Sequence, residues 1–123
     1  MAKGKQFTIE VENRPGTVAE VARILGDAKV NILALLGMAH GAQGSVYVVV
    51  DNARKAKSAL DQARCRYSET TVDRVELPNK PGALARYLET LARKGVNLGS
   101  IFATTSKGAK KATVVLAAEA TGV

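Results

Sequence analysis

Four asparagines in this 123-residue chain lie where their side chains could bind a small charged molecule. Asn13 and Asn79 each stand two residues before a Pro-Gly pair, and Asn31 and Asn97 follow 18 residues later in both cases. An asparagine amide donates and accepts hydrogen bonds, so it can meet the carboxylate or the ammonium group of a zwitterion. Asparagine also bonds to nearby backbone and stabilises turns. A purely structural role is therefore the alternative for all four.

The Pro-Gly pairs predict helix starts, where an anion can bind. Pro15 suits the first turn of a helix. The first backbone N–H groups of a helix have no partner inside it and lie at the positive end of its dipole. Gly16 has no side chain to block a close approach. The sequence therefore predicts a corner that accepts a carboxylate, as helix N-termini commonly do.

Residue types that support catalysis or metal binding are scarce. His40 is the single histidine and has no second histidine, cysteine or paired carboxylate at ligand spacing. Cys65 has no Cys-x-x-Cys partner. An enzyme is one hypothesis for this chain, but one histidine leaves little capacity for general-base catalysis. We expect no catalytic residues, no metal, no cofactor and no enzymatic activity.

The composition is that of an ordinary folded, water-soluble protein, with 46% apolar and 24% charged residues. No run of about 18 apolar residues could span a membrane, and one cysteine excludes a disulfide framework. Residues 1–6 carry two lysines, but no apolar segment follows them. We therefore expect no signal peptide and a cytoplasmic location.

The net charge of +7 suggests an acidic partner, but it is spread evenly along the chain. Residues 1–66 hold 10 basic and 6 acidic residues, and residues 67–123 hold 8 and 5. We expect the basic groups at 54–57 and 107–111 to be a solvated helix face and a loop.

The chain contains an internal repeat at an offset of 66 residues. The segment 13–16 (Asn-Arg-Pro-Gly) matches 79–82 (Asn-Lys-Pro-Gly), and 30–32 (Val-Asn-Ile) matches 96–98 (Val-Asn-Leu). Without a gap, the alignment continues to residues 48–50 opposite 114–116. The chain is therefore interpreted as two copies of one unit.

Apolar spacing predicts the element order βαββαβ in the first copy. In chain order, the elements are a strand around Phe7, Ile9 and Val11, a helix over 18–28, strands over 32–38 and 46–50, a helix over 53–63 and a strand over 66–72. The second copy has a strand over 72–77, a helix over 81–94 and strands over 97–105 and 112–117. The predicted fold class is α+β, a ferredoxin-like arrangement in tandem with the second copy shortened to βαββ. We place the complete domain at residues 1–72 and the partial one, without its second helix and fourth strand, at 73–123.

Two features predict a homodimer. One helix leaves half a sheet face of the second copy bare, which a soluble monomer rarely tolerates, so either the first copy or a second chain must cover it. Residues 32–36 are apolar on both faces although they form an expected edge strand, and natural edges usually carry charge or proline.

The Asn-x-Pro-Gly turn before a helix, with Val-Asn-Ile or Val-Asn-Leu opening the next strand, resembles the ACT domain family. The resemblance covers the first copy and the second through its third strand. It implies a regulatory module that binds an amino acid, often at a dimer interface, and acts allosterically on an enzyme not encoded in this chain. It also implies that the paired asparagines hold the ligand. Some serine-binding members have a histidine two residues before the first asparagine, where this chain has Val11 and Leu77.

Helix length limits how one site can be built. A helix of about 14 residues is roughly 20 Å long, so Asn13 and Asn31 of one copy cannot both contact one amino acid. Each site would join two copies, for example Asn13 with Asn97, or Asn13 with Asn31 of another chain. The candidate ligand-binding residues are Asn13, Arg14, Pro15, Gly16, Thr17, Asn31, Ile32, Asn79, Lys80, Pro81, Gly82, Ala83, Asn97 and Leu98.

A nucleic-acid-binding or protein-binding module without a small ligand is the competing interpretation. RNA-binding sheets of this fold stack bases on aromatic side chains of the central strands. The corresponding residues 7–11 and 46–50 supply few aromatics, and the chain has 4% overall. Nucleic acid is therefore disfavoured as a partner.

Overall fold

Six strands and three helices make up the part of the chain that the structure, a computed structural model, describes, residues 2–119. Met1 and residues 120–123, which the predicted domain boundaries include, lie outside the described residues. The elements are β1 (Ala2–Glu12), α1 (Thr17–Asp27), β2 (Ile32–His40), β3 (Gln43–Val50), α2 (Ala53–Gln62), β4 (Arg66–Pro78), α3 (Ala83–Arg93), β5 (Leu98–Thr104) and β6 (Lys111–Ala118).

One long strand replaces two predicted ones. The sequence predicts separate strands over 66–72 and 72–77, whereas β4 runs without a break from Arg66 to Pro78. Residues 4–71 form one compact unit, here the first unit, and residues 72–119 with 2–3 belong to another, the second unit. No glycine or proline interrupts residues 66–77, so no strong breaker ends the strand within that stretch.

The predicted α+β, ferredoxin-like fold class is confirmed. In the first unit the strand order is β2-β3-β1-β4, and β3 pairs antiparallel with both β1 and β2. In the second unit the order is β4-β6-β5, and β6 pairs antiparallel with β4 and β5.

The core of the first unit lies between one face of its sheet and the two helices. Strand residues on this face alternate with residues on the other face, and helix residues recur every three or four positions. Fully burying one such aliphatic or aromatic side chain stabilises the fold by about 1.5–3 kcal/mol. The buried cluster comprises Phe7, Ile9, Val21, Leu25, Val30, Val46, Val48, Val50, Ala56 and Leu60.

Strand β3 is buried on both faces, which confirms its prediction as a central strand. Val48 faces the helices and is fully buried, and Val49 on the opposite face is only 1% exposed. Ser45, also on that face, is buried as well. Both backbone edges of β3 are paired, one with β1 and one with β2.

The β5–β6 hairpin of the second copy is two residues longer than the β2–β3 hairpin of the first. Leu35 pairs with Val48 in the β2–β3 hairpin, and Ile101 pairs with Leu116 in the β5–β6 hairpin. Equivalent residues of the two copies are therefore 66 positions apart in the strand before the turn and 68 positions apart in the strand after it. The predicted gapless alignment of 48–50 with 114–116 is wrong by two residues. Hairpin turns lie at the surface and accept such insertions without disturbing the strands.

Candidate functional site

The strand-to-helix corner of the first unit is shaped by Gly16. This glycine caps the N-terminus of α1 with φ 93°, a left-handed conformation that residues with a side chain rarely adopt. Pro15 lies before the helix, which begins at Thr17, so the prediction that Pro15 occupies the first helical turn is wrong. The left-handed residue between them redirects the chain, and helical geometry starts only after it. Gly82 has the same role before α3, with φ 84°.

Asn13 ties this corner to the tip of the β2–β3 hairpin. Its side-chain Nδ2 donates to the Gly41 carbonyl at 2.8 Å, and its backbone N–H donates to the Ala42 carbonyl at 2.9 Å. In the second unit, Asn79 Nδ2 donates to Ala109 at 2.9 Å. The same contact in both copies supports the turn-stabilising interpretation of these two asparagines. One amide hydrogen and the side-chain oxygen remain available to a ligand.

Asn31 lies at the opposite end of β2. Its N–H donates to Asp51 Oδ1 at 2.9 Å, and its carbonyl accepts from the Asp51 N–H at 3.1 Å. The nine residues of β2 span roughly 30 Å. Asn13 contacts the far end of this strand, so the first unit does not bring Asn13 and Asn31 together. Ile32 is half-buried beside Asn31.

The second unit repeats this separation. The Asn97 carbonyl accepts from the Glu119 N–H at 2.7 Å, and the Asn97 side chain is exposed. Leu98, half-buried, opens β5. Asn79 contacts the β5–β6 loop at the other end of that strand. The predicted residues therefore form two separate groups in each unit.

A cavity of about 260 Å³ adjoins the first corner. The beginning of α1, the end of β1 and the turn end of the β2–β3 hairpin surround it. Of the predicted residues it includes Asn13 and Thr17, but not Arg14, Pro15 or Gly16. The lining residues are Val11, Glu12, Asn13, Thr17, Val18, Gly37, Met38, Ala39, Gly44, Ser45 and Val46.

Sequence reasoning missed the hairpin side of this cavity. The signal that could have found it is a pair of glycines, Gly37 inside an apolar strand and Gly44 just before the next one. Glycine inside a strand often marks a close approach of backbone or ligand. A Cβ at Gly44 would lie 3.1 Å from the Met38 carbonyl oxygen, so the backbone there is tightly packed.

The comparison with protein families identifies the first unit. The family model for the ACT domain matches residues 5–64, which span the corner, both helices of the first unit and the whole cavity lining. This chain contains an ACT domain. The matched segment runs from within β1 to the end of α2, which confirms for the first copy the family resemblance predicted from the Asn-x-Pro-Gly corner.

Solved structures share the fold over both units. The protein BT0572 from Bacteroides thetaiotaomicron is 29% identical, with a TM-score of 0.86 over 94% of this chain and 79% of that chain. The regulatory subunit of aspartate kinase from Thermus thermophilus, in its ligand-free form, is 19% identical, with a TM-score of 0.70 over 94% of this chain and 82% of that one. The corresponding subunit from Thermus flavus is 19% identical, with a TM-score of 0.63 over 94% and 82%. A comparison with curated proteins gave no match.

The ACT domain is a regulatory fold, and its corner here carries a local charge network. Arg14 Nε contacts Glu12 Oε2 at 3.1 Å, and Arg14 Nη2 contacts Glu20 Oε1 at 3.3 Å. The hydrogen bond that Arg14 donates to Glu12, and then the charge of Glu20, raise the pKa of Arg14. Two carboxylates around one guanidinium leave this corner with one net negative charge.

Thr17 is the most buried polar residue of the ACT corner, at 6% exposure. Its hydroxyl donates to the Arg14 carbonyl at 3.3 Å. The Thr17 N–H donates to the same carbonyl at 3.4 Å, and helical bonding begins with Glu20 N–H to Gly16 at 2.9 Å. The N–H groups between them, of Val18 and Ala19, have no partner inside the helix. They supply the positive helix end beside the cavity.

His40 and Ser45 meet across the β2–β3 hairpin of the ACT domain. His40 Nε2 lies 3.1 Å from Ser45 Oγ, and Ser45 Oγ lies 3.5 Å from Glu10 Oε2. The carboxylate approaches the serine rather than the histidine, so the three residues do not form a nucleophile–base–acid relay. Sequence reasoning missed the pair because a hairpin register, not a sequence motif, brings it together.

The single cysteine, Cys65, is free and half-buried. Burial raises the pKa of the Cys65 thiol, which disfavours the reactive thiolate. Within residues 2–119, no three histidine, cysteine or carboxylate side chains are grouped to hold a metal ion. No helix in that range is long and apolar enough to cross a bilayer.

Proposed function

We propose that this protein is a regulatory module that binds a small amino acid in the cavity beside the first ACT corner. The observation that carries the proposal is the composition of that cavity. One end, with Glu12, Asn13 and Thr17, is polar and adjoins a helix N-terminus, and the rest of the lining is apolar apart from Ser45. This arrangement fits a zwitterionic head followed by a short apolar side chain.

The polar end matches both charges of an amino acid. The free N–H groups at the beginning of α1 favour the α-carboxylate. The Glu12 carboxylate and the unused Asn13 Oδ1 are acceptors for the α-ammonium group. Arg14 and Gly16 contribute indirectly, because Arg14 orients Glu12 and Gly16 sets the direction of the helix.

The apolar wall selects the side chain of the ligand. Val11, Val18, Met38 and Val46 line it. At about 260 Å³, the cavity lies just below the range of drug-sized pockets, so it suits a small ligand. A charged side chain would lose its hydration there without gaining a countercharge, and the Ser45 hydroxyl of this wall is already bonded to His40 and Glu10. The proposed ligand class is therefore an aliphatic amino acid, such as valine, leucine, isoleucine or methionine.

A second protomer completes the site in this proposal. Strand β2 is an edge of its sheet, and Leu33, Leu35, Leu36 and Met38 on it are 37–54% exposed. Among residues 2–119, no strand pairs with its free edge. Burial of this edge in a homodimer would remove the apolar surface from water and cover the cavity mouth at Met38. The solved regulatory subunits of aspartate kinase share the fold and support a role of this kind.

The regulatory action follows from linkage. Two protomers can adopt more than one relative arrangement, and a ligand held between them favours the arrangement to which it binds more tightly. The size of the shift is set by the difference in affinity between the arrangements. The enzyme that responds is a separate protein in this proposal. The predicted residues at the second corner, 79–83 with Asn97 and Leu98, are not assigned to this ligand, because the charges around that corner differ.

A thermal-shift screen against the twenty common amino acids tests the proposal. A ligand at 100 times its dissociation constant stabilises the bound state by about 2.7 kcal/mol. We expect the aliphatic amino acids to raise the Tm, and serine, aspartate and lysine to leave it unchanged. Met38→Lys should abolish the shift, whereas Ile101→Lys, in the second unit, should retain it. If no amino acid raises the Tm, or if Met38→Lys responds like the native chain, the module does not bind its ligand here. A protein-binding module without a small ligand would then be favoured.

A further inference from the structure

The fold concentrates positive charge around the second corner. Lys110 and Lys111 lie beside it, because the Asn79 N–H donates to the Lys110 carbonyl at 3.0 Å and Pro78 pairs with Lys111 in the β4–β6 register. Lys107 is in the same loop between β5 and β6. Lys80 follows Asn79 in the turn. We call this surface the basic face, defined by Lys80, Arg86, Lys107, Lys110 and Lys111.

Arg86 joins the basic face from the first turn of α3. Its Nη1 lies so close to Gly82 that a Cβ at Gly82 would be 2.9 Å from it. The guanidinium therefore folds over the N-terminus of its own helix. This places a full positive charge next to the positive end of the helix dipole, an arrangement that repels cations and attracts anions.

The basic face accounts for most of the net charge of the protein. The chain has 18 basic and 11 acidic residues. Without the five residues of the face, 13 basic residues remain against 11 acidic ones, a net charge of only +2. Five of the eight basic residues in 67–123 belong to this face, and they come from a turn, a helix start and a hairpin loop.

The first corner shows that this charge is not a requirement of the fold. Glu12 and Glu20 of the first copy correspond to Pro78 and Arg86 of the second. The two carboxylates that neutralise Arg14 are thus absent around Lys80. All five side chains of the face belong to exposed residues, and none forms an ion pair within residues 2–119.

We propose that the basic face binds the phosphate backbone of a nucleic acid without selecting its sequence. Lysine is depleted in the centres of protein–protein interfaces, whereas four of the five residues here are lysines. Lysine and arginine side chains and helix N-termini are the usual donors to nucleic-acid phosphates. No aromatic residue is part of the face, so base stacking would not contribute.

The basic face is a different surface from the central strands of the sheet. Those strands lack the aromatic side chains on which RNA-binding sheets stack bases, and for that reason the sequence disfavours nucleic acid there. The basic face consists of a turn, a helix start and a hairpin loop instead. Binding there requires only phosphate contacts, and it is independent of the amino-acid site proposed for the first unit.

Fluorescence anisotropy with a labelled 20-base-pair duplex tests the proposal. Each phosphate neutralised contributes about −0.9 to the slope of log K against log salt concentration. Three to five contacts predict a loss of roughly 40- to 500-fold in affinity between 50 and 200 mM salt. We expect saturable binding at 50 mM with a slope in this range and little difference between two unrelated sequences.

A matched pair of triple variants separates the basic face from net charge. One variant is Lys107→Ala/Lys110→Ala/Lys111→Ala, and the other is Arg54→Ala/Lys55→Ala/Lys57→Ala on the exposed side of α2. Both remove three exposed cations, and thermal melts of both variants serve to check that they fold. The first should weaken binding at least tenfold and reduce the slope by about 2.7. The second should change affinity less than threefold.

Three results would overturn the proposal. The native chain could fail to bind the duplex at 50 mM salt, or both triple variants could lose affinity equally, which would indicate bulk charge alone. A polyglutamate peptide of matched charge could also displace the duplex at an equal concentration of charge, which would assign the face to acidic polypeptides.

Discussion

The side-chain nitrogen of Asn13 lies 2.8 Å from the carbonyl oxygen of Gly41, and this bond fastens the helix-opening corner to the hairpin tip. The cavity lies between the corner and the hairpin, so the Asn13 side chain helps to set the shape of the cavity whether or not it contacts a ligand. Asn79 and Ala109 repeat the bond at 2.9 Å in the second unit. The two copies therefore provide matched positions for mutation.

Asn13→Ala should weaken both the fold and the proposed amino-acid site. Loss of one hydrogen bond costs about 1 kcal/mol of unfolding free energy, and the corner loses its orienting contact. Asn79→Ala should cost a similar amount of stability and leave amino-acid binding unchanged. Urea denaturation and isothermal titration with the best ligand of the screen measure the two effects. Equal loss of binding in both variants would mean that the first corner is not the site.

Gly16→Ala should destabilise the ACT domain through its backbone alone. A Cβ at this position meets no atom within 4 Å, but φ of 93° places an alanine in the left-handed region at a cost of about 1–2 kcal/mol. Gly26→Ala is the control, because it lies inside α1 with open space around it and should stabilise the helix by up to about 1 kcal/mol. Thermal melts of the two variants should therefore shift in opposite directions. A stabilised Gly16→Ala variant would contradict the left-handed corner.

Leu35→Lys should convert the proposed homodimer into a monomer. Leu35 is 41% exposed on β2, and a lysine on an edge strand disfavours pairing with another chain. Leu84→Lys, at a similarly exposed position on α3, should leave the assembly unchanged. Sedimentation velocity measures the mass of each species. A native chain that sediments as a monomer at every concentration would contradict the prediction.

Tyr67 should make stability depend on pH above 10. Its hydroxyl donates to Asp61, and this bond, with a smaller effect of burial, raises its pKa from 10.0 to about 12. The proton is held more tightly in the folded state, so the stabilisation is complete below pH 10 and is lost as pH rises towards 12. Tyr67→Phe should remove this part of the pH dependence.

The tyrosine titration itself can be observed by absorbance near 295 nm. Asp61→Ala should bring the pKa of Tyr67 back towards its ordinary value, since the hydrogen bond and the nearby charge both disappear. If the absorbance titration of the native chain and of Asp61→Ala coincide, the contact between Tyr67 and Asp61 does not persist in solution.

Local patterns in the sequence determined the elements and the family of this protein. The alternation at Phe7, Ile9 and Val11 requires a half-buried strand, and helical spacing up to Leu25 requires an amphipathic helix. The corner could be recognised because Asn-x-Pro-Gly acts on its own backbone, through fixed or unusual φ values at neighbouring residues. Such effects extend over a few residues and can therefore be identified without a partner strand.

Only the tertiary structure decided which distant residues meet. The pairing of Asn13 with Gly41, the two-residue shift between the hairpins and the meeting of His40 with Ser45 depend on strand register. Register is set by the burial of whole strand faces and by turn length, not by any single residue. The same pairing brings the lysines of residues 107–111 to the corner at residues 79–82. Basic residues that are far apart in the chain thereby lie on one surface, because hydrogen bonds between strands join residues that are distant in sequence.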